Sequence, residues 1–100
     1  MRYIPLTRNL YTIVDNIDYP ELSKHSWYAH KSYKSFYAAR MSRQKDGKQI
    51  MIYMHRQILG LKPGDKREAD HIYHNTLDNR RNSIKICTRQ ENLKNKRNKK

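Results

Sequence analysis

The residues best suited to chemistry lie toward the C-terminal end, where Asp70 and His71 are adjacent and Asn92 follows. Histidine has an unperturbed pKa near neutrality, so its imidazole is suited to accept a proton from water. Mg²⁺ takes oxygen ligands, one or two from protein and the rest from phosphate and water, and Asp70 and Asn92 offer such oxygens. A base and a cation are what phosphodiester hydrolysis needs, so this pattern predicts that reaction.

Secondary-structure signals around these residues predict a strand into Asp70 and His71, a polar loop, a second strand over 83–87 and then a helix. Thr88 and Glu91 have the spacing of a capping box, with Thr88 as the N-cap. A helix N-terminus favours anions, so a phosphate is expected to approach Asn92 there. Neighbouring strand residues point to opposite faces, so Asp70 and His71 reach one phosphate only if the strand ends or bends there.

The first half of the chain predicts β structure with one short helix. Short β-rich runs occupy residues 3–6 and 11–14, and Asp18 or Tyr19 is the expected helix cap before Pro20. Three candidate strands then cover residues 26–30, 35–42 and 49–54. A second short helix is expected to end at Gly60. Alternation places Tyr28, His30 and Tyr37 on one sheet face, and Phe36, Ala38 and Arg40 on the other.

Charge favours a polyanionic partner. Lys and Arg number 22 in 100 residues against nine acids, for a formal net charge of +13. Such a surface repels itself unless nucleic acid neutralises it, and no long apolar run suggests a membrane. The residues predicted to contact nucleic acid are Arg40, Arg43, Lys45, Arg80, Arg81, Lys94, Lys96 and Arg97.

Cysteine usage excludes two classes of site. With Cys87 as the single cysteine, neither an intramolecular disulfide nor a cysteine zinc cluster forms. Cys87 lies in an apolar stretch and is predicted to be a buried thiol. With no secretion signal in the sequence, we expect a cytoplasmic protein of a bacterium or a phage-infected host cell.

From Asp70 onward, the residue types and their spacing resemble those of the HNH endonucleases of the phage homing type. The pattern of that family is D-H-I-x-x-N-x-x-D-N-R-x-x-N-L-R-x-x-T-x-x-E-N. The chain matches this pattern without length change at Asp70, His71, Ile72, Asn75, Asp78, Asn79, Arg80, Thr88, Glu91 and Asn92. Residues 54–56 and 59–65 are also similar to the run that precedes the motif in that family. The preceding three-strand region resembles the DNA-binding sheet of plant ethylene-response factors.

This resemblance implies a fold, a reaction and a set of roles. The fold is α+β, with an N-terminal antiparallel three-strand sheet followed by a ββα-metal motif. Residues 1–60 are the expected β-rich DNA-binding region, and residues 61–100 the nuclease motif with a basic tail, packed separately or as one unit. His71 is the implied general base, and Asp70 and Asn92 the ligands of Mg²⁺, for which Mn²⁺ is a possible substitute. The implied products are a 5′-phosphate and a 3′-hydroxyl.

Two positions depart from the family pattern. Ser83 stands where the family has the central asparagine that pins the loop between the strands, and Asn82 precedes it. Asn79 and Asn82 are candidates to replace that support, and His55 is a further candidate supporting residue. Ile84 replaces leucine, which is conservative for packing.

Three functions follow as alternatives. A nuclease that acts on double-stranded DNA as a monomer would nick, whereas a homodimer could break both strands. A DNA-binding protein on the same scaffold with a decayed nuclease is the second, and the intact set of Asp70, His71 and Asn92 argues against it. The third is an RNA-binding protein that stacks bases on its aromatic residues, which leaves the ordered motif unexplained. None of them needs a small-molecule cofactor.

Overall fold

The computed structural model describes residues 1–88, which form a small α+β fold of short strands and two short helices. The strands are β1 (Arg2–Pro5), β2 (Tyr11–Val14), β3 (Tyr28–Ser32), β4 (Ser35–Arg43), β5 (Gln49–Tyr53), β6 (Glu68–His71) and β7 (Ile84–Cys87). The helices are α1 (Tyr19–Leu22) and α2 (Met54–Ile58), and a 3₁₀ turn covers Arg81–Ser83. Strands pair antiparallel in three sheets, β1-β2, β3-β4-β5 and β6-β7, which confirms the predicted α+β class and antiparallel pairing. The helix predicted after Thr88 lies outside the described residues.

The N-terminal hairpin joins β1 to β2 through a turn in which Arg8 and Asn9 have positive φ, 62° and 59°. Asparagine tolerates this left-handed conformation, so the turn forms where the sequence predicts it. Residues of alternate parity point inward, and Ile4, Thr12 and Val14 are all buried. Thr12 is therefore the polar member of the three buried side chains of this hairpin.

The three-stranded sheet has the two distinct faces that the alternation predicts. The register pairs His30 with Tyr37 and Ala39 with Tyr53, which places these residues on one face. We call the aromatic set Tyr28, His30, Tyr37 and Tyr53 the tyrosine face. Ala38 lies on the opposite face and belongs to the hydrophobic core. The tyrosine face remains partly accessible, and it continues toward β6.

The core is assembled from most of the elements. Val14 of β2, Trp27, Met54 of α2 and Ile84 of β7 belong to one buried cluster. The indole Nε1 of Trp27 donates a hydrogen bond of 2.8 Å to the Leu22 carbonyl, which anchors α1 beside the sheet. The strand β3 begins at Tyr28 rather than at the predicted Ser26. Cys87 is buried, as predicted.

Near α1 and β7, the structure differs from the sequence prediction in one contact and one boundary. Asp18 occupies the N-cap position of α1, but its side chain makes no capping hydrogen bond. Its carboxylate instead accepts two hydrogen bonds from Arg81, at 2.9 and 2.7 Å. Ser83 ends the 3₁₀ turn rather than beginning the last strand, because it is drawn toward the loop by contacts described below. Across residues 1–88, no helix has the length and apolar character needed to cross a membrane.

The core predicts a large difference between two methionines on neighbouring elements. Met54 is 0% exposed, whereas Met51 on β5 is 36% exposed. Met54→Ala should lower the free energy of unfolding by about 2–4 kcal/mol, because a buried cavity remains. Met51→Ala is the matched control and should change it by about 0.5 kcal/mol or less. Chemical denaturation of both variants measures the difference, and equal effects would contradict this description of the core.

Candidate active site

The strand β6 ends at the two residues predicted to carry the chemistry. His71 pairs with Ile84 of β7 as the last pair of the ladder. The backbone N–H of Ile72 then donates to the Ser83 carbonyl at 2.8 Å, and the chain turns through His74, which has a φ of 65°. His71 is buried, and Asp70 is half-buried. The strand end that the sequence argument required after Asp70 and His71 is present.

A chain of hydrogen bonds holds the His71 ring from behind. Its Nε2 lies 2.8 Å from Oδ1 of Asn79, and Nδ2 of Asn79 donates to Oγ1 of Thr12 at 2.8 Å. Oγ1 of Thr12 donates in turn to the Leu77 carbonyl, also at 2.8 Å. His71, Asn79 and Thr12 are 5%, 1% and 0% exposed. Asn79, predicted to support the site, therefore contacts the predicted base directly.

Backbone hydrogen bonds between β2 and the loop that follows His71 support this series of side-chain hydrogen bonds. The N–H of Ile13 donates to the Leu77 carbonyl at 2.9 Å, and the N–H of Asn79 donates to the Ile13 carbonyl at 2.8 Å. The hydroxyl of Thr76 donates to the Phe36 carbonyl of β4, which ties the same loop to the sheet. The loop after His71 is thus fixed by two other elements, far away in sequence.

Ser83 has a specific place in this loop. Its buried hydroxyl donates to Oδ2 of Asp78 at 3.0 Å, and its backbone N–H donates to the Arg80 carbonyl at 2.8 Å. Asp78 also accepts hydrogen bonds of 2.8 and 2.7 Å from the Arg80 guanidinium, and these bonds lower the pKa of Asp78 to about 2. Asn82 is exposed. Ser83, rather than Asn82, therefore links the two ends of the loop.

An aromatic cluster covers another side of His71. The ring centroids of His55 and His71 are 4.5 Å apart, and the Tyr37 ring lies 5.8 Å from His71 and 6.0 Å from His55. Burial, followed by the charge of His71, lowers the pKa of His55 to about 3. Burial also lowers the pKa of His71, against the opposing effects of the Asn79 hydrogen bond and the Asp70 charge. Both imidazoles are neutral at neutral pH, so His71 can accept a proton.

Two clefts differ in whether they are lined by residues of the candidate site. A cleft of about 260 Å³ on the tyrosine face is lined by Tyr37, Tyr53 and His55, with Arg56 and Glu68 among its polar residues. A larger one, of about 330 Å³, lies between β1, α1 and Trp27 and contains none of the predicted site residues. The concave surface beside the candidate site is therefore the smaller cleft.

The predicted metal ligands are placed only in part. Asp70 lies at the end of β6, beside the base, and Asn92 lies outside the described residues. Within residues 1–88, no three His, Cys, Asp or Glu side chains are grouped to hold a metal ion. A magnesium ion needs only one or two protein oxygens besides water and phosphate, so the half-buried Asp70 carboxylate fits one ligand of such a site.

The predicted nucleic-acid contacts fall into three groups. Arg43 and Lys45 are exposed near the end of the β4–β5 hairpin. Arg40 is half-buried, lies over the Trp27 ring and donates to Gln57 at 2.9 Å, while Arg80 and Arg81 form ion pairs of 2.7 Å with Asp78 and Asp18. The third group, Lys94, Lys96 and Arg97, lies outside the described residues. Contact with phosphate stays a prediction for all eight.

Thr12 is the site residue that the sequence did not reveal. It lies 65 residues before Leu77 and belongs to no motif, and a threonine in a strand ordinarily indicates only β propensity. Comparisons of the chain with protein-family models, with curated proteins and with solved structures each found no significant match. The site is therefore interpreted from its own geometry.

The buried His55 predicts a specific loss of stability in acid. The unfolded chain takes up a proton on this imidazole near pH 6.5, whereas the folded chain does so only near 3. The stabilisation from neutral His55 is thus complete above 6.5 and declines as the pH falls toward 3, by at most about 1.4 kcal/mol per pH unit. His55→Phe, which cannot titrate, should flatten this dependence in denaturation curves measured across that range.

The control for this measurement is His74→Asn, because His74 is exposed and asparagine tolerates its positive φ. This variant should keep the parent pH dependence. A His55→Phe protein with the same acid dependence as the parent would show that the buried imidazole is not its source.

Proposed function

We propose that this protein is a metal-dependent endonuclease that hydrolyses DNA phosphodiester bonds, with His71 as the general base. The observation that carries the proposal is the neutral His71 imidazole at the end of β6, held through Nε2 and adjacent to the Asp70 carboxylate. The strand, loop and antiparallel strand around it match the order that the resemblance to HNH endonucleases implies. The ββα-metal motif as a whole is part of the proposal.

In the proposed reaction, His71 removes a proton from a water molecule whose oxygen attacks the phosphorus. The bond from phosphorus to the 3′-oxygen breaks, which leaves a 5′-phosphate and a 3′-hydroxyl after that oxygen gains a proton. A base positioned this way contributes about 10²- to 10⁴-fold to a rate. The buried contacts to Asn79, His55 and Tyr37 restrict the ring to one orientation, which reduces the ordering needed for attack.

A divalent cation, Mg²⁺ or Mn²⁺, would be held by Asp70 and Asn92 and would supply charge neutralisation at the reacting phosphate. Asp70 also affects the histidine directly, since its negative charge opposes the fall in the pKa of His71 caused by burial. The carboxylate therefore has two effects on the proposed chemistry, one on the ion and one on the base.

Binding of duplex DNA is proposed to depend on the net charge of +13. Arg43 and Lys45 are exposed on the described surface, whereas the guanidinium groups of Arg80 and Arg81 hold carboxylates. Phosphate contacts release counterions, so affinity falls steeply with salt. Of the five predicted contact residues that the structure describes, Arg43 and Lys45 are therefore the best candidates for such contacts.

Cleavage of supercoiled plasmid in the presence of magnesium tests the proposed base. His71→Ala should lower the cleavage rate by about 100-fold or more at equal DNA binding, because the proton acceptor is lost. His74→Asn, a change of an exposed histidine three residues away, should cleave like the parent. Gel separation of supercoiled, nicked and linear DNA measures all three proteins, and nicked product would indicate a single acting centre.

The decayed-nuclease alternative gives a different result in the same assay. It requires DNA binding by the parent with no cleavage in magnesium or manganese, and His71→Ala would then be indistinguishable from it. The departure at Ser83 is what favours this alternative. Cleavage by the parent that His71→Ala retains would reject the assignment of the base.

Salt dependence tests the proposed DNA contacts. The slope of log affinity against log salt concentration changes by about 0.9 for each phosphate contact that is lost. The double variant Arg43→Gln with Lys45→Gln should therefore have a shallower slope by up to about 2. Arg67→Gln is the control, because Arg67 is exposed but paired with Asp65 at 2.8 Å. Fluorescence anisotropy over a salt series measures the slopes, and equal slopes would remove Arg43 and Lys45 from the interface.

A further inference from the structure

The hydrogen-bond chain behind His71 ends on an atom whose role is certain. The Leu77 carbonyl oxygen can only accept, and it lies 2.8 Å from Oγ1 of Thr12. A threonine hydroxyl has one proton, so Thr12 donates that proton to the Leu77 carbonyl. Toward Asn79, the same hydroxyl oxygen can then only accept. The direction of the first link is thus set by the backbone.

The remaining links follow from this direction. The group of Asn79 that lies 2.8 Å from Thr12 must donate, so it is the Nδ2 amide. The other end of that side chain is then Oδ1, which lies 2.8 Å from Nε2 of His71 and can only accept. Nε2 must therefore carry the proton. A neutral imidazole has one protonated nitrogen, so the lone pair of His71 resides on Nδ1.

We propose that Thr12 is a positioning residue, which fixes the neutral tautomer of His71 through Asn79 and so makes Nδ1 the atom that accepts the proton from water. The inference rests on the proposed function for its catalytic meaning, but the tautomer itself does not depend on cleavage. It also makes the N-terminal hairpin a part of the reactive centre, because Thr12 belongs to β2.

Burial strengthens the hydrogen bonds that link Thr12, Asn79 and His71. Thr12 and Asn79 are 0% and 1% exposed, so water does not compete for their hydrogen bonds. Two backbone hydrogen bonds between Ile13 and residues 77 and 79 hold the carbonyl and the amide in register. Reversing the Asn79 amide would place Oδ1 against a hydroxyl that has no proton to donate, which breaks the buried hydrogen bond to Thr12 whichever tautomer His71 adopts.

Two variants of Thr12 separate the hydroxyl from the shape of the side chain. Thr12→Ser keeps the hydroxyl and should retain the Nε2–H tautomer. Thr12→Val keeps the branched shape but removes both the donor to Leu77 and the acceptor for Asn79, so the amide loses its fixed direction. In that variant the His71 population should shift from Nε2–H toward a mixture with Nδ1–H, and cleavage should fall by about tenfold or more at unchanged DNA binding.

Nitrogen NMR of the ¹⁵N-labelled full chain, with the imidazole in its neutral form, measures the tautomer, because protonated and bare ring nitrogens have well separated shifts. The parent chain alone can overturn the proposal: an Nδ1–H tautomer of His71 would do so without any variant. Folded Thr12→Val with the parent tautomer would also overturn the role of Thr12. If the parent has the Nε2–H tautomer but no protein cleaves DNA, the proposed function fails while the tautomer assignment stands.

Discussion

The junction between β2 and residues 77–79 is the contact on which the candidate site depends. The Leu77 carbonyl accepts from both Ile13 and Thr12, and Asn79 returns a hydrogen bond to the Ile13 carbonyl. Polar groups buried in this way cost free energy unless they are paired, so the loss of one of these hydrogen bonds would leave a buried group unsatisfied. Because Asn79 also reaches His71, an error in this junction would be transmitted directly to the imidazole.

Two ion pairs hold the basic loop that follows His71. The chain has few acids for its 22 basic residues, and two of them, Asp78 and Asp18, hold Arg80 and Arg81 in the loop that follows His71. Each ion pair is partly exposed and contributes only modestly to stability. Their main effect is geometric, since they fix a basic loop that would otherwise repel the rest of the surface. The negative charges of Asp70 and Asp78 both raise the pKa of His71 against the effect of burial.

Local patterns in the sequence predicted the elements better than their contacts. Alternation identified the two faces of the sheet, and the turn at Arg8 and Asn9 was visible from residue type, because both depend on neighbours in the chain. The cap of α1 was predicted at the correct position, but the Asp18 carboxylate binds Arg81, 63 residues later, which no local pattern contains. Thr12 was missed for the same reason. Long-range polar contacts decide the site, and a single sequence does not encode them in its spacing.

The serine at position 83 bears on whether a departure from a family pattern must weaken a site. An asparagine would support the loop through a long amide, whereas Ser83 supports it through a short hydroxyl that reaches Asp78. Asp78 is held in turn by Arg80, so the serine completes a network in which each polar side chain has a partner. The loop is closed by a carboxylate and a guanidinium, with the serine as the link to β7. His71 is therefore supported by Asn79 and Thr12, whereas the residue at position 83 holds the loop rather than the proposed base.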